Sequence, residues 1–219
     1  MERRSRLKFL KAVNKQVKRT RDWIFGALLS LLDEKKYEDI KIANITEKAG
    51  VARQSFYRNY EGKDDIIAKF IESLFASYSE RLTILFESKS FDSGEMYRLF
   101  FDILYEHRHY LLKLKDASLS HLLYNNFWLY SNALIEGFFD ENNVSPSDEK
   151  TIFVQYQLGG IIALSVDWIC RNMVESPAEL SQRLNAVTAP FADNPYFLPT
   201  LIKAVSDNSI HERKADLPS

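Results

Sequence analysis

Glycine and proline are scarce, with seven and six among 219 residues, and there is one cysteine, Cys170. A single thiol cannot close a disulfide within its own chain, and in an apolar stretch it reads as core filling; both features point to a reducing, cytoplasmic compartment. Long apolar runs are missing as well. The apolar run Tyr156 to Val166 meets Asp167 at once and falls far short of the roughly 20 residues that cross a bilayer, so no membrane span is expected. The stretch Met1 to Arg21 has neither the apolar segment nor the small-residue cleavage site of a secretory signal, which predicts that it stays on the protein. What is present is 46% apolar and 27% charged residues. That composition excludes disorder and collagen and supplies one sizeable core or two small ones.

The net charge of −1 is divided unevenly. Residues 1 to 63 hold 16 Lys and Arg against 8 Asp and Glu, whereas the remainder holds 13 against 22. The front is a cation at +8 and the rest an anion at −9. A cationic segment suits a polyanion, either nucleic acid or an acidic membrane, and motifs must decide which.

Few breakers and an apolar spacing of three and four almost throughout predict an all-α protein. Trp23, Ile24, Ala27, Leu28, Leu31 and Leu32 form one stripe on a first helix of roughly 18 residues ending near Lys35-Lys36, where cations suit a helix C-terminus. Further helices are expected from Lys63 to Glu87, Ser93 to Glu106, Arg108 to Leu114 and Ser118 to Asp140. Ser145-Pro146-Ser147-Asp148 and Ser176-Pro177-Ala178-Glu179 each combine a serine cap, a proline at the first helical position and an early acid, opening helices over 146–174 and 177–190. The former is apolar on several sides around Leu158 to Ile169, including Gly159-Gly160 and Trp168, so it belongs at the centre of a domain or in a subunit interface. Asp207 to Ser219 is polar and expected to fray.

The segment Ile42 to Tyr60 reads as two short helices joined at Gly50, which supplies the positive φ of a tight turn. Ile42, Ile45 and Ala49 form the inner face of the first helix; Val51, Phe56 and Tyr60 turn inward from the second. Arg53, Gln54, Ser55, Tyr57 and Arg58 are left facing out, with no acid between Ala52 and Tyr60. Guanidinium, amide, hydroxyl and phenol groups hydrogen-bond phosphates and base edges, and a helix fits the major groove of B-DNA. The chemistry is readout rather than catalysis.

Gly50-Val51, then Arg53, Ser55-Phe56-Tyr57-Arg58-Asn59-Tyr60 and Lys63-Asp64-Asp65-Ile66, resemble the helix-turn-helix signature of the TetR family of transcriptional repressors over roughly Thr20 to Phe70. The resemblance implies base or phosphate contacts by Arg53, Gln54, Ser55, Tyr57, Arg58 and Asn59, and a phosphate contact by Lys63. The sequence departs from the family at Lys41, where a Thr or Ser cap is usual and a lysine can reach phosphate instead, and at Asn59, where histidine is frequent. It further implies a homodimer with recognition helices about one DNA turn, roughly 34 Å, apart on a palindromic operator in double-stranded DNA. In that family the last two long helices pair across the dimer, which places 146–174 and 177–190, with Gly159, Gly160 and Trp168, in the interface. The chain then divides into a basic arm (1–16), a DNA-binding domain (17–76) and an effector-binding and dimerisation domain (77–219).

Residues 64 to 219 contain 22 Phe, Tyr and Trp. Most aromatics at helical spacing fill a core, but a cavity lined by Tyr105, Trp128 and Tyr156 would take a small apolar or aromatic effector whose binding shifts the DNA-reading heads. His107 and His109 point to different sides of a helix and complete no metal site. The chain has no Gly-x-Ser-x-Gly, Walker loop or dinucleotide fingerprint, so no catalytic residue, metal or cofactor is expected. Two rival readings remain at this level. One is a helical adaptor that uses its basic N-terminus on acidic lipid and its C-terminal bundle on a protein; the other is an enzyme with an aromatic pocket.

Overall fold

A computed structural model describes residues 15–87, 93–141 and 148–200. The basic arm up to residue 14, the Ser145-Pro146 helix start and the polar C-terminal stretch lie outside the described residues. Among those described there is no β-strand. The helices are α1 (Lys15–Leu31), α2 (Ile42–Ala49), α3 (Arg53–Tyr57), α4 (Lys63–Glu87), α5 (Ser93–Glu106), α6 (Arg108–Asp116), α7 (Ser120–Glu141), α8 (Asp148–Cys170) and α9 (Pro177–Thr188), with short 3-10 turns at Tyr37–Asp39 and Ala189–Phe191.

α1 buries Ile24, Ala27, Leu28 and Leu31 of its expected stripe, while Trp23 is half exposed, and it stops at Leu31 and not near Lys36. The reason is the acid pair that follows. Asp33 and Glu34 would oppose the dipole at a helix C-terminus; they leave it in a turn and pair with Lys113 and Lys48. α9 opens on the capping box written in its sequence: Glu179 N–H donates to Ser176 Oγ at 3.3 Å, and Ser176 N–H donates back to Glu179 Oε2 at 2.8 Å.

α1, α2, α3 and the start of α4 form a small head around Ile24, Leu28, Ile45, Phe56, Tyr60 and Ile66. α4 runs on unbroken through residue 76, the boundary expected between the two domains, and packs against α5 and α7. Three rings fasten the head to the body. Phe25 of α1 stacks on Phe70 of α4 at 4.6 Å, and Tyr110 of α6 meets both edge-on at 5.2 and 5.7 Å.

In the body, α9 lies against α5, and α7 against α8. Within the chain the last two helices therefore rest on different partners. Large apolar side chains are left uncovered along α7 (Tyr124, Trp128, Leu129) and α8 (Ile152, Tyr156), and also at Ile84 of α4, Val187 of α9, Val174 and Phe191. Trp168 is corrected: it is fully buried inside its own chain, edge-on to Phe101 at 5.6 Å, with its indole N–H donating to Glu175 O at 3.0 Å. A side chain so enclosed has no surface to offer a second subunit. Gly159 does lie on the α7–α8 seam, where a Cβ would meet the Trp128 ring at 3.8 Å, and Gly160 is exposed. By length and composition the stretch Glu149–Cys170 is apolar enough to cross a membrane, with mean hydropathy 1.4, and a third of its best window is buried within the chain. The run measured in sequence looked shorter because Asp167 interrupts it; helical geometry carries the apolar surface past that one charge.

Candidate nucleic-acid interface

Gly50 ends α2 in the left-handed region at φ 65°, and its N–H donates to Glu47 O at 3.1 Å, closing the turn that aims α3. Phe56 is fully buried and Tyr60 nearly so, which fixes the inner side of α3. Its outer side then has no freedom: Arg53, Gln54, Tyr57 and Arg58 are exposed, and Ser55 and Asn59 are half-buried. Tyr57 keeps half of its surface open to solvent.

The outward groups steady one another. Arg53 Nη2 donates to Tyr57 Oη at 3.3 Å, with its guanidinium 5.7 Å from the ring centre. Arg58 Nη2 donates to Ser55 Oγ at 2.8 Å, and Asn59 Nδ2 to Ser55 O at 2.7 Å, so Asn59 caps the end of α3. The Gln54 side chain finds no hydrogen-bond partner among the described residues, which leaves its amide open on both its donor and acceptor sides. α3 thus presents two guanidinium groups, a free amide and a phenol with no carboxylate among them.

Lys41 is exposed at the N-cap of α2 and supplies no side-chain cap. Asn44 compensates, its Oδ1 accepting from Lys41 N–H at 3.0 Å, a back-bond that the residue three positions on can always make. The lysine ammonium is thereby left to solvent.

Lys63 is different, because its ammonium already has partners within the chain. At the first position of α4 its ammonium donates to Tyr37 O, to Ile40 O at 3.1 Å and to Glu38 O at 3.4 Å, and lies 4.2 Å from the Tyr37 ring centre. A lysine has three hydrogens, and all three are engaged. Beside it the Tyr37 hydroxyl donates to Asp64 Oδ1. Burial pushes the Tyr37 phenol above its ordinary range, and the Asp64 carboxylate adds to that. Burial likewise raises Tyr60, against a lowering by nearby Arg21. Nothing in the local spacing announces these contacts, which join residues 26 apart.

The three aromatic candidates for an effector pocket are not brought together. Tyr105 lies against Trp168 with ring centres 6.1 Å apart and carries the Arg108 guanidinium on its ring at 4.7 Å. Trp128 and Tyr156 face outward from α7 and α8, Tyr156 with 69% of its surface exposed. The assignment of Trp128 and Tyr156 to an enclosed cavity is therefore corrected: their apolar faces point away from the core. Two open hollows on the surface, one between α1 and α2 beside Trp23 and Gly50, the other between α1 and α6 beside His109 and Lys113, contain none of the three. The phenols that do sit inside the body are Tyr78, Tyr97 and Tyr130, the last pushed up to about 12 by burial with help from Glu72 and Asp65.

The sequence model of the family described as "Transcriptional regulator C-terminal region", of TetR type, matches residues 92–189. The chain is similar to an uncharacterised HTH-type transcriptional regulator of Bacillus subtilis strain 168, YxbF, at 26% identity over 179 residues, which is 78% of this chain and 45% of that protein. It thus spans less than half the length of that relative. Among solved structures, the fatty acid degradation regulator FadR from Bacillus halodurans shares the fold, with a TM-score of 0.50 at 14% identity over 77% of this chain and 93% of that one. A tetR-family regulator from Streptomyces coelicolor gives 0.47 at 17% identity over 90% and 100% of the two chains. The family and the relative are regulators and not enzymes. With a helix-turn-helix head at its front and a match to a TetR-type regulator C-terminal region over residues 92–189, the chain is similar to the TetR-type transcriptional regulators.

Proposed function

We propose that the protein is a dimeric, sequence-specific DNA-binding repressor that reads a palindromic operator through α3. One observation carries the reading: Arg53, Gln54, Tyr57 and Arg58 stand exposed over a fully buried Phe56, on a helix without an acid. Arginine forks onto guanine and glutamine onto adenine in the major groove, while Ser55, Tyr57, Asn59 and Lys41 suit phosphate or sugar. The uncovered apolar strip on α7 and α8, with Gly159 and Gly160 permitting close approach, supports a homodimer formed there. Two heads carried on two α4 helices then match two half-sites, and a small apolar effector bound in the body would change their spacing and free the promoter. A protein that works in this way is cytoplasmic and needs no membrane.

The test is selection of bound fragments from a pool of random duplex DNA. The wild type is expected to enrich an inverted repeat. Arg53→Ala should lose about 1 to 3 kcal/mol on that site and relax the preference at one position in each half-site, with the dimer unchanged. No enrichment, together with binding to acidic vesicles that is indifferent to Arg53, would replace this reading with the lipid-binding adaptor.

A further inference from the structure

We propose that Lys63 is a positioning residue for DNA recognition, acting through the backbone of the Tyr37–Ile40 segment and not through a phosphate. The inference rests on the DNA-binding reading and goes beyond it. Three observations converge on this lysine. Its ammonium is saturated by the carbonyls of Tyr37, Glu38 and Ile40. Its neighbour Asp64 takes the Tyr37 hydroxyl, so the first two residues of α4 grip the same tyrosine from both ends. Tyr37 itself is 8% exposed, which means the grip is anchored in the core and not on a mobile surface turn.

The position matters because of what the two gripped segments do. Tyr37–Ile40 runs directly into Lys41, the cap of α2, and α2 sets α3 through the Gly50 turn. α4 runs from Lys63 to Glu87 into the body. The clasp therefore makes the reading helices and the rod that carries them one rigid piece. A lysine at the start of a helix also faces the positive end of the helix dipole, an unfavourable place for a cation unless carbonyls neutralise it. Here three of them do. Without the clasp the head keeps its core and the Phe25–Phe70 stack on α4, but the Tyr37–Ile40 turn that leads into the cap of α2 is no longer held to the start of α4. Specific binding requires both heads to meet their half-sites at once, whereas non-specific attraction to phosphate tolerates a loose joint.

The test compares full-length wild type, Lys63→Met and Tyr37→Phe on two fluorescein-labelled duplexes, the site selected by the wild type and a scrambled sequence, across a salt series. Lys63→Met is expected to lose tenfold or more on the selected duplex and less than threefold on the scrambled one, with the slope of log affinity against log salt unchanged. Tyr37→Phe alters no charge and retains the ring and carbonyls; it should lose roughly threefold on the selected duplex only, and it decides the matter if Lys63→Met does not fold. Equal losses on both duplexes with a slope shallower by about 0.9 would mean a direct phosphate contact and overturn the proposal. Unchanged affinity of either folded variant for the selected duplex would overturn it too. A wild type that selects no site at all is a separate outcome, because it removes the DNA-binding reading before any variant is compared.

Discussion

The head and the α7–α8 face treat large apolar side chains in opposite ways. In the head, Ile24, Ile45, Phe56 and Ile67 have no exposed surface. On the α7–α8 face, Leu129, Ile152 and Tyr156 are each more than half exposed, with Trp128 at 36%. Apart from Trp23, half exposed beneath the Arg19 guanidinium, the head finishes its core with one chain and presents polar groups on α3. The α7–α8 face leaves apolar surface open to solvent, and it is this strip that the proposed homodimer would bury.

The comparison breaks most visibly at Phe56. Phe56→Ala removes a fully buried ring beneath the exposed readout groups and should cost about 3 to 5 kcal/mol, a large part of the stability of a small unit. Urea denaturation and limited proteolysis should show the head opening first while α5 to α9 stay protected. A cost below about 1 kcal/mol would mean that the head core is not what holds α3.

The reverse experiment replaces exposed residues. Leu129→Glu with Tyr156→Glu should leave the folding of each chain nearly unchanged, because both side chains are already in solvent. Two buried, unpaired carboxylates in the proposed interface should weaken the dimer by at least about 2 to 4 kcal/mol, roughly 30- to 1000-fold. Sedimentation velocity at micromolar protein would then show a monomer. A dimer of undiminished affinity would place the interface elsewhere.

These two regions also mark where sequence reasoning succeeds and where it stops. Gly50, the Ser176–Glu179 box and the inward set Ile45, Phe56 and Tyr60 were legible because each depends on neighbours within about four positions. Trp168 was legible as buried but not as buried by its own chain. Periodicity says that a face is covered, never by what, and the same apolar pattern serves a core and an interface alike. α9 followed from its caps, yet its partner α5 could not be read, since nothing local distinguishes packing against α5 from pairing across a dimer. The intrachain partners of Lys63 were not legible for another reason: the resemblance implies a phosphate contact, and the three carbonyls that hold its ammonium come from a turn 23 to 26 residues earlier.

The smallest expected effect concerns the joint between the two regions. Arg81, on the same α4 that carries the head, forms two parallel bonds at 2.7 Å to the carboxylate of Glu106, the last residue of α5. The Arg81 hydrogen bonds hold the Glu106 carboxyl below its ordinary range, against a smaller raising by burial. A carboxyl whose pKa is lower folded than unfolded contributes stability above its unfolded value, about 4.3, and loses that contribution as the pH falls through the folded value. Both side chains are more than 40% exposed, so solvent screening limits the pair to under about 1 kcal/mol. Arg81→Met should therefore destabilise the protein slightly at pH 7, and less in high salt. The gap between variant and wild type should close as urea titrations are repeated at pH values falling below the carboxylate range. A cost of several kcal/mol that persists in acid would show that the arginine stem packs the α4–α5 contact, and the joint would then depend on apolar burial, as the head does, and not on a pair of charges at its rim.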